Sequence, residues 1–285
     1  MTPPSIPDAK WLIQPGESRV IDIDDIRSLK IGLVGGQVDV VAHDEAFTRV
    51  EVHGVTVKDL RIERTGDRLE IDHPQLGWDN FLEVFRNFGS GGPRAEVSVA
   101  VPRAVALTLG VVSATGLVAG LANDARLNTV SGDLIVDGID GDLTLNTVSG
   151  GVQARGVRGR VSANTVSGDI TASGALTAVS VDTVSGDAIV DASGPISRVA
   201  INSVSGDTTL RLDDDLAAKY VARSASARIT IDGVRRSGTG PTNWTDTVGE
   251  LAGSFVDVSL HSVSGSLTVV RRGVEASTPS AEVDA

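Results

Sequence analysis

The chain of 285 residues contains no cysteine, and this absence excludes disulfide bonds, thiolate metal sites and cysteine nucleophiles. Aromatic residues make up only 3% of the sequence, fewer than the core of an enzyme of ordinary globular shape usually contains. Glycine is abundant instead, with 32 residues, alongside small β-forming residues such as Val, Thr, Ala and Ser. This composition favours a thin interior built from stacked aliphatic side chains.

Basic residues are also scarce, because 25 Lys and Arg stand against 37 Asp and Glu, for a formal net charge of −12. Nucleic-acid binding requires a clustered basic surface, so the charge balance predicts no nucleic-acid partner. The first residues lack the basic and apolar regions of a signal peptide, and no stretch reaches the ~18 consecutive apolar residues of a membrane span. The sequence therefore predicts no transmembrane segment and a cytoplasmic location, with surface display left open.

A pentad, Thr-Val-Ser-Gly-Asp or a close variant, recurs along the second half of the chain. Its clear copies have their serines at Ser131, Ser149, Ser167, Ser185 and Ser205. The first three intervals are 18 residues and the fourth is 20, and further copies follow at Ser226 and Ser264. A fixed period of this kind is typical of repeat architectures. The glycine after each serine is expected to turn the chain by adopting a positive φ.

Apolar pairs keep the same period as the pentads. The pairs are Leu134 and Val136, Val152 and Ala154, Ile170 and Ala172, Ala188 and Val190, and Thr208 and Leu210. Their two-residue spacing is the period of a β-strand with one buried face. A single unit buries too little apolar surface to offset the entropy lost on ordering it, so units must stack. The sequence predicts an all-β fold, a single-stranded parallel β-helix or solenoid with 18-residue rungs and right-handed coiling.

Four regions are expected along the chain. Residues 1–29 would form an N-terminal segment with a cap strand, and residues 30–110 an irregular β region continuous with the solenoid. Residues 111–270 would form the regular solenoid, with a loop excursion at 233–254, and residues 271–285 a disordered tail. The rung at 267–270 would then be the last of the stack.

A short amphipathic helix is predicted near residues 78–88, inserted into the irregular region. Trp78, Phe81, Phe85 and Phe88 share one of its faces, and the glycines at 89–92 end it. This helix would either cover an open sheet edge or dock a partner. Trp244, in the middle of the excursion, joins these four as a candidate partner-docking residue.

Two polar columns are expected along the stack. The first contains Asp133, Asp169, Asp187 and Asp207, and the second contains Asn128, Asn146, Asn164 and Asn202, with Asp182 breaking it. The aspartates would cap turns by accepting backbone N–H bonds, with calcium binding as the alternative. The asparagines would stabilise the stack through side-chain hydrogen bonds between rungs.

Catalytic patterns are weak in this sequence. A basic cluster, Arg155, Arg158 and Arg160, lies one rung from Asp137, Asp140 and Asp142, as in carbohydrate-cleaving β-helices. Cross-rung salt bridges are the favoured use of these charges. The four histidines have no metal-ligand spacing, and phosphate-binding loops and nucleophile elbows are absent. The sequence predicts no enzymatic activity, no catalytic residue, no cofactor and no metal site.

The tandem Thr-Val-Ser-Gly-Asp units, followed by Leu-x-Val or Leu-Thr-Leu, resemble the bacterial putative adhesin family, a domain of unknown function. Residues 61–71 look like the N-terminal strands of that family, and the resemblance spans roughly residues 30–270. The family name implies surface display, and some relatives are linked to cell-envelope stress responses. The resemblance supplies no catalytic residues.

Three hypotheses for function follow from these patterns. The leading one is a non-catalytic solenoid that binds a protein partner, with a role in envelope-stress signalling. The alternative is a self-assembling scaffold similar to bactofilins, whose exposed terminal rungs, including the one at 267–270, would stack end to end. The third is a β-helix that binds or cleaves polysaccharide.

Overall fold

The computed structural model describes residues 8–73, 92–236, 240–250 and 255–272, and all regular secondary structure in these ranges is β-strand. The strands are β1 (Ala9–Ile13), β2 (Arg19–Asp24), β3 (Ser28–Leu33), β4 (Gly35–His43), β5 (Phe47–Thr56), β6 (Leu60–Thr65), β7 (Arg68–Asp72), β8 (Arg94–Pro102), β9 (Ala106–Val111), β10 (Thr115–Ala119), β11 (Ala125–Thr129), β12 (Leu134–Asp137), β13 (Leu143–Thr147), β14 (Val152–Thr165), β15 (Ile170–Thr183), β16 (Ala188–Ala192), β17 (Arg198–Ser203), β18 (Thr208–Asp213), β19 (Ala218–Ser224), β20 (Ile229–Ile231), β21 (Val234–Arg235), β22 (Thr242–Val248), β23 (Val256–Ser262) and β24 (Leu267–Arg272). The predicted all-β class is confirmed.

Hydrogen-bonded strands follow one another in two stacks, which we name the first wall and the second wall. The first wall runs in the order β1, β6, β7, β3, β9, β11, β13, β14, β15, β17, β23, β19 and β22. The second wall runs in the order β2, β5, β8, β4, β10, β12, β14, β15, β16, β18, β24, β20 and β21. The long strands β14 and β15 pass through both walls and join them into one sheet.

Inward-facing apolar side chains from both walls form one continuous core. Leu134 is paired with Val152, and Val152 with Ile170, so residues 18 positions apart lie side by side in neighbouring rungs. All three side chains are at most 3% exposed. The stacked aliphatic interior expected from the repeat is therefore present, while the direction of coiling stays a prediction.

The glycine of the pentad is required by space rather than by backbone angle. We expected a positive φ here, and none of the glycines at positions 132, 150, 168, 186 and 206 has one. A Cβ on Gly186 would lie 2.1 Å from the carbonyl oxygen of Gly168, and the other glycines of the column approach their neighbours as closely. The backbones of adjacent rungs are in direct contact at this corner, which leaves no room for a side chain.

Strand order in space departs from sequence order at both ends. The rung β3–β4 lies between β7–β8 and β9–β10, and the rung β23–β24 lies between β17–β18 and β19–β20. The expectation that residues 267–270 end the stack is therefore wrong, because β24 is paired on both sides. Strands β19 and β20, at residues 218–231, form a rung that is not paired with β17–β18. The final rung, β23–β24, is inserted between these two rungs.

The sheet is also not purely parallel, which corrects the predicted parallel β-helix. Antiparallel pairs occur at both ends, through β1, β2, β5 and β6 at one end and through β21 and β22 at the other. These strands cover edges that a parallel stack would leave open to other chains.

Strands β21 and β22 lie inside the excursion expected at 233–254, and β24 extends to Arg272. The helix expected near 78–88 and the tail from residue 273 onward lie outside the described residues. Within the described ranges, no helix is long and apolar enough to cross a membrane.

Candidate functional site

In the pentad turns that follow first-wall strands, the polar groups are satisfied within the protein. Thr165 is buried and donates its hydroxyl hydrogen to the carbonyl oxygen of Gly168 at 2.8 Å. Ser167 donates its hydroxyl hydrogen to the carbonyl oxygen of Val148 in the preceding rung at 3.1 Å. Both contacts recur at neighbouring pentads. Because the threonine faces inward, the valine that follows it faces outward.

Five of these outward valines form a continuous apolar column, which we name the valine stripe. Its members, in spatial order, are Val148, Val166, Val184, Val204 and Val263, with exposed fractions of 43%, 49%, 48%, 46% and 50%. Earlier members of the same column, Val34, Val112 and Val130, are 7–8% exposed and form a small separate cluster. A contiguous apolar strip of this length on the surface is a feature of interaction sites.

A column of polar side chains, which we name the asparagine ladder, runs beside the valine stripe. Asn146 Nδ2 donates to Asn128 Oδ1 at 2.9 Å, and Asn164 Nδ2 donates to Asn146 Oδ1 at 2.9 Å. Further along, Asn202 Nδ2 donates to Asp182 Oδ1 at 2.7 Å, and His261 Nδ1 lies 3.1 Å from Asn202 Oδ1. The predicted hydrogen bonding between rungs is present, and it fixes the orientation of the side chains along the wall.

The stripe from Val166 onward and the ladder from Asn146 onward together line an open groove of about 860 Å³ on the first wall. At the far end, Arg223 of β19 and residues 241–243 of the β22 hairpin complete the lining. Asp182 is the single carboxylate among the lining residues, and Arg223 and His261 are the basic groups. Arg223 is exposed and has no ion-pair partner among the described residues. The groove is thus largely uncharged in a strongly acidic chain, with a basic end.

The aspartate column is occupied by backbone hydrogen bonds. Asp133 Oδ1 accepts the N–H of Gly151 at 2.9 Å, and Asp187 Oδ1 accepts the N–H of Asp207 at 2.8 Å. Equivalent bonds join Asp169 to the next rung, and Asp207 to the rung beyond. The part of the chain that the structure describes contains no group of three or more His, Asp or Glu residues placed to hold a metal ion. These contacts support turn capping over calcium binding.

The salt-bridge network expected around Arg155, Arg158 and Arg160 is not formed. None of the ion pairs between described residues includes these arginines. Asp142 Oδ1 instead accepts the backbone N–H of Arg160 at 3.0 Å, in the manner of the aspartate column. The Asp142 carboxylate, like those of the aspartate column, is therefore bound to the backbone of the next rung.

Trp244, a predicted docking residue, lies in β22 and packs against the end of the core. Its ring centroid is 6.0 Å from that of Tyr220, and the Arg236 guanidinium lies 5.3 Å from the Trp244 ring. Much of this side chain is therefore used to close the solenoid. The other predicted docking residues, Trp78, Phe81, Phe85 and Phe88, lie outside the described residues, so docking by any of the five stays a prediction.

Sequence reasoning missed the valine stripe, although its signal is present in the pentad. Each stripe valine directly follows a residue that continues the inward series of its strand, such as Thr165 after Val161 and Ala163. Strand alternation therefore requires Val166 to face outward. Treating the pentad as a turn alone concealed this regularity.

The fold and its surface define a β-solenoid-like scaffold of stacked rungs with an exposed apolar groove. A family profile described as Toastrack DUF4097 matches residues 26–270. The chain belongs to this family, which confirms the resemblance to putative adhesins carried by the repeats.

Three solved structures illustrate the similarity. A putative lipid binding protein from Parabacteroides distasonis is 16% identical with a TM-score of 0.51, over 90% of this chain and 96% of that one. A putative adhesin from Bacteroides fragilis is 9% identical with a TM-score of 0.48, over 91% and 100%. A putative cell adhesion protein from Clostridium sporogenes is 11% identical with a TM-score of 0.31, over 91% and 100%. The first shows a shared fold, and no curated protein matches the chain.

Proposed function

We propose that the chain is a non-catalytic binding scaffold and that the groove formed by the valine stripe and the asparagine ladder binds a protein partner. The observation that carries the proposal is the run of five half-exposed valines in consecutive rungs. Their turn hydroxyls and carbonyls are satisfied within the protein, so only apolar surface is offered at these positions. Burying this surface against a partner is favourable by ~25 cal/mol per Å² of apolar area.

A protein surface suits this groove better than a small apolar ligand does. Small-molecule sites are concave and cover most of the ligand, whereas this groove is open along its length. It also presents polar side chains beside the valines at every rung, which matches the mixed apolar and polar make-up of protein interfaces.

The titratable groups of the groove support a non-catalytic role. Asp182 and His261 are both hydrogen-bonded to Asn202, which lies between them in the ladder. General acid and base catalysis needs such groups within reach of one reacting atom and free to exchange a proton. Here the two groups are separated by an intervening rung and serve the ladder.

Site-specific photo-cross-linking tests the proposal. A photoreactive residue replaces Val184 in one variant and Ile189 in another, because Ile189 is 49% exposed on the outer face of the second wall. We expect a protein adduct at position 184 in the native host, none at 189, and loss of the adduct when Val204→Asp is added. Each captured protein, including this chain itself, is then purified and its binding measured. Equal capture at 184 and 189, or an adduct indifferent to Val204→Asp, would contradict the proposal.

A further inference from the structure

We propose that the protein partner of the groove is a second copy of this chain, docked first wall to first wall about a two-fold axis parallel to the strands. This inference rests on the proposed function and names its partner. Neighbouring rungs are ~4.8 Å apart in any stacked β-structure, so two copies match along their whole length. A closed dimer of this kind uses the same surface patch on both subunits.

The two-fold axis reverses the order of the rungs and keeps each outward column opposite itself. With the axis between β17 and β23, which are adjacent in the first wall, β17 opposes the partner's β23 and β15 opposes the partner's β19. The pairing extends outward to β14, which opposes the partner's β22. This choice of axis fixes every contact across the interface.

Charges are complementary under this axis. Asp182 of β15 opposes the partner's Arg223 of β19, and Arg198 of β17 opposes the partner's Asp257 of β23. All four side chains are exposed, and none has an ion-pair partner among the described residues. Symmetry forms each pair twice, so four opposite-charge contacts arise from one placement.

Apolar and small side chains fill the space between these charges. Val204 opposes the partner's Val263, and Ala200 opposes the partner's Ser259. Because Ala200 and Ser259 have small side chains, the first walls of the two copies can approach closely at these positions. At the outer rungs, Arg160 opposes the partner's Thr247, so like charges do not meet there. Steric matching and charge matching therefore favour the same axis.

The face is large enough for a specific dimer. Six strands at ~4.8 Å spacing and about seven residues at ~3.3 Å each outline a rectangle of roughly 670 Å². A standard interface buries ~800 Å² of accessible surface per partner, and protruding side chains make accessible area larger than its projection. Neutral side chains dominate this face, which suits the burial of a surface in an acidic chain.

Analytical ultracentrifugation of the purified full chain over a wide concentration range tests the proposal. We expect wild type to form a concentration-dependent dimer. Val204→Asp should raise the dimer dissociation constant at least ~10-fold, because it places an unpaired charge against the partner's Val263 in the rungs beside the two-fold axis. Ile189→Asp, equally exposed on the second wall, is the matched control and should leave the constant unchanged.

A charge exchange tests the orientation. Asp182→Arg and Arg223→Asp should each weaken the dimer by roughly tenfold, and the double variant should recover most of the wild-type affinity. Arg155→Asp, on the outer face of the second wall, controls for the change in net charge. Circular dichroism and thermal unfolding verify that each variant is folded, and the double variant separates loss of fold from loss of contact.

The outcomes are distinguishable. A wild type that remains monomeric, or a dimer insensitive to Val204→Asp, overturns the inference, as does failure of the double variant to recover affinity. If the chain is monomeric but a different protein is captured from position 184, the inference fails and the proposed function stands. If position 184 captures no protein, both fail.

Discussion

The middle of the solenoid and its two ends are built by different means. From β11 to β16, each rung lies next to its sequence neighbours, and its corners repeat the same glycine contact and the same aspartate bond to the next backbone. At the ends, rungs are inserted out of order and antiparallel strands cover the edges. Local repetition thus determines the middle, and pairing between distant segments determines the ends.

The energetics differ in the same way. In the middle, small residues allow backbones to approach, and stability accumulates from many equivalent contacts between neighbouring rungs. At the ends, single side chains have larger individual effects. Tyr220 is fully buried beneath Trp244, and the Arg61–Asp72 ion pair bridges β6 and β7 near the first end.

The largest effect is expected from a side chain added at the glycine corner. Gly186→Ala places a Cβ 2.1 Å from the carbonyl oxygen of Gly168, and this backbone cannot move without disturbing both rungs. We expect a loss of about 3 kcal/mol or more in the free energy of unfolding, at the upper end of overpacking costs. Urea denaturation measures it.

Gly54→Ala is the control, because Gly54 lies within strand β5 and a Cβ added there would have no atom within 4 Å. Its unfolding free energy should change by less than ~1 kcal/mol. Similar losses in unfolding free energy for Gly186→Ala and Gly54→Ala would contradict the claim that the corner is more tightly packed than the strand.

A smaller effect is expected at the first end, where the Arg61–Asp72 ion pair joins β6 and β7. Arg61 donates to both oxygens of Asp72 at 2.8 and 2.6 Å, and the Asp72 side chain is only 6% exposed. Asp72→Asn leaves the partly buried guanidinium with Glu63, 3.1 Å away, as its remaining counter-charge, so we expect a loss of about 2 kcal/mol in thermal or urea unfolding.

The exposed pair between Asp22 and Arg49 is the comparison for this variant. It has the same two-bond geometry, at 2.7 and 3.0 Å, but both side chains are exposed to solvent. Asp22→Asn should therefore change stability little, because exposed ion pairs are weak. A larger loss for Asp22→Asn than for Asp72→Asn would contradict the importance of burial at this end.

The smallest effect is a pH dependence that arises at the same end. Burial lowers the pKa of His73 below its ordinary value, against the opposing effects of the Asp59 carbonyl oxygen and of Asp72. His73 Nδ1 lies 3.1 Å from that carbonyl, and Nε2 is buried and has no hydrogen-bond partner among the described residues. A lowered pKa in the folded state means that the full contribution to stability is present above pH ~6.5 and is lost as pH falls through the folded-state pKa.

Unfolding measured between pH 7 and pH 5 checks this expectation. Wild type should lose stability more steeply than His73→Gln, which keeps a donor for the carbonyl and does not titrate. His53→Gln removes an exposed histidine and should retain the wild-type slope. Identical slopes for wild type and His73→Gln would show that this buried histidine does not contribute.

The sequence predicts the regular middle of the solenoid better than it predicts the two ends. The alignment of Leu134, Val152 and Ile170 is a local pattern, and the structure places all three in the core. The contact between Ser264 and the carbonyl oxygen of Val204 spans 60 positions, and no local pattern encodes it. Several inward strands have compatible apolar spacing, so only the packed structure selects which rung is inserted where.

The outward-facing valines of the groove could be predicted from the sequence, but the side chains at its far end could not. Alternation after Thr165 and Thr183 requires Val166 and Val184 to face outward. The participation of Arg223 depends on the out-of-order placement of β19, which the repeat does not indicate. The candidate site therefore combines a regular part that the pentads predict with an end that long-range pairing creates.

The valine stripe as a free interaction surface is most directly tested by thiol labelling, since the chain contains no native cysteine to interfere. Single variants Val184→Cys and Val130→Cys sample the exposed and the buried part of one column, and Ile189→Cys samples the second wall. In dilute solution we expect fast labelling at 184 and 189 and slow labelling at 130, with protection at 184 alone once the protein associates at high concentration. Slow labelling at 184 in dilute solution, or equal labelling of 184 and 189 in the associated state, would contradict this account.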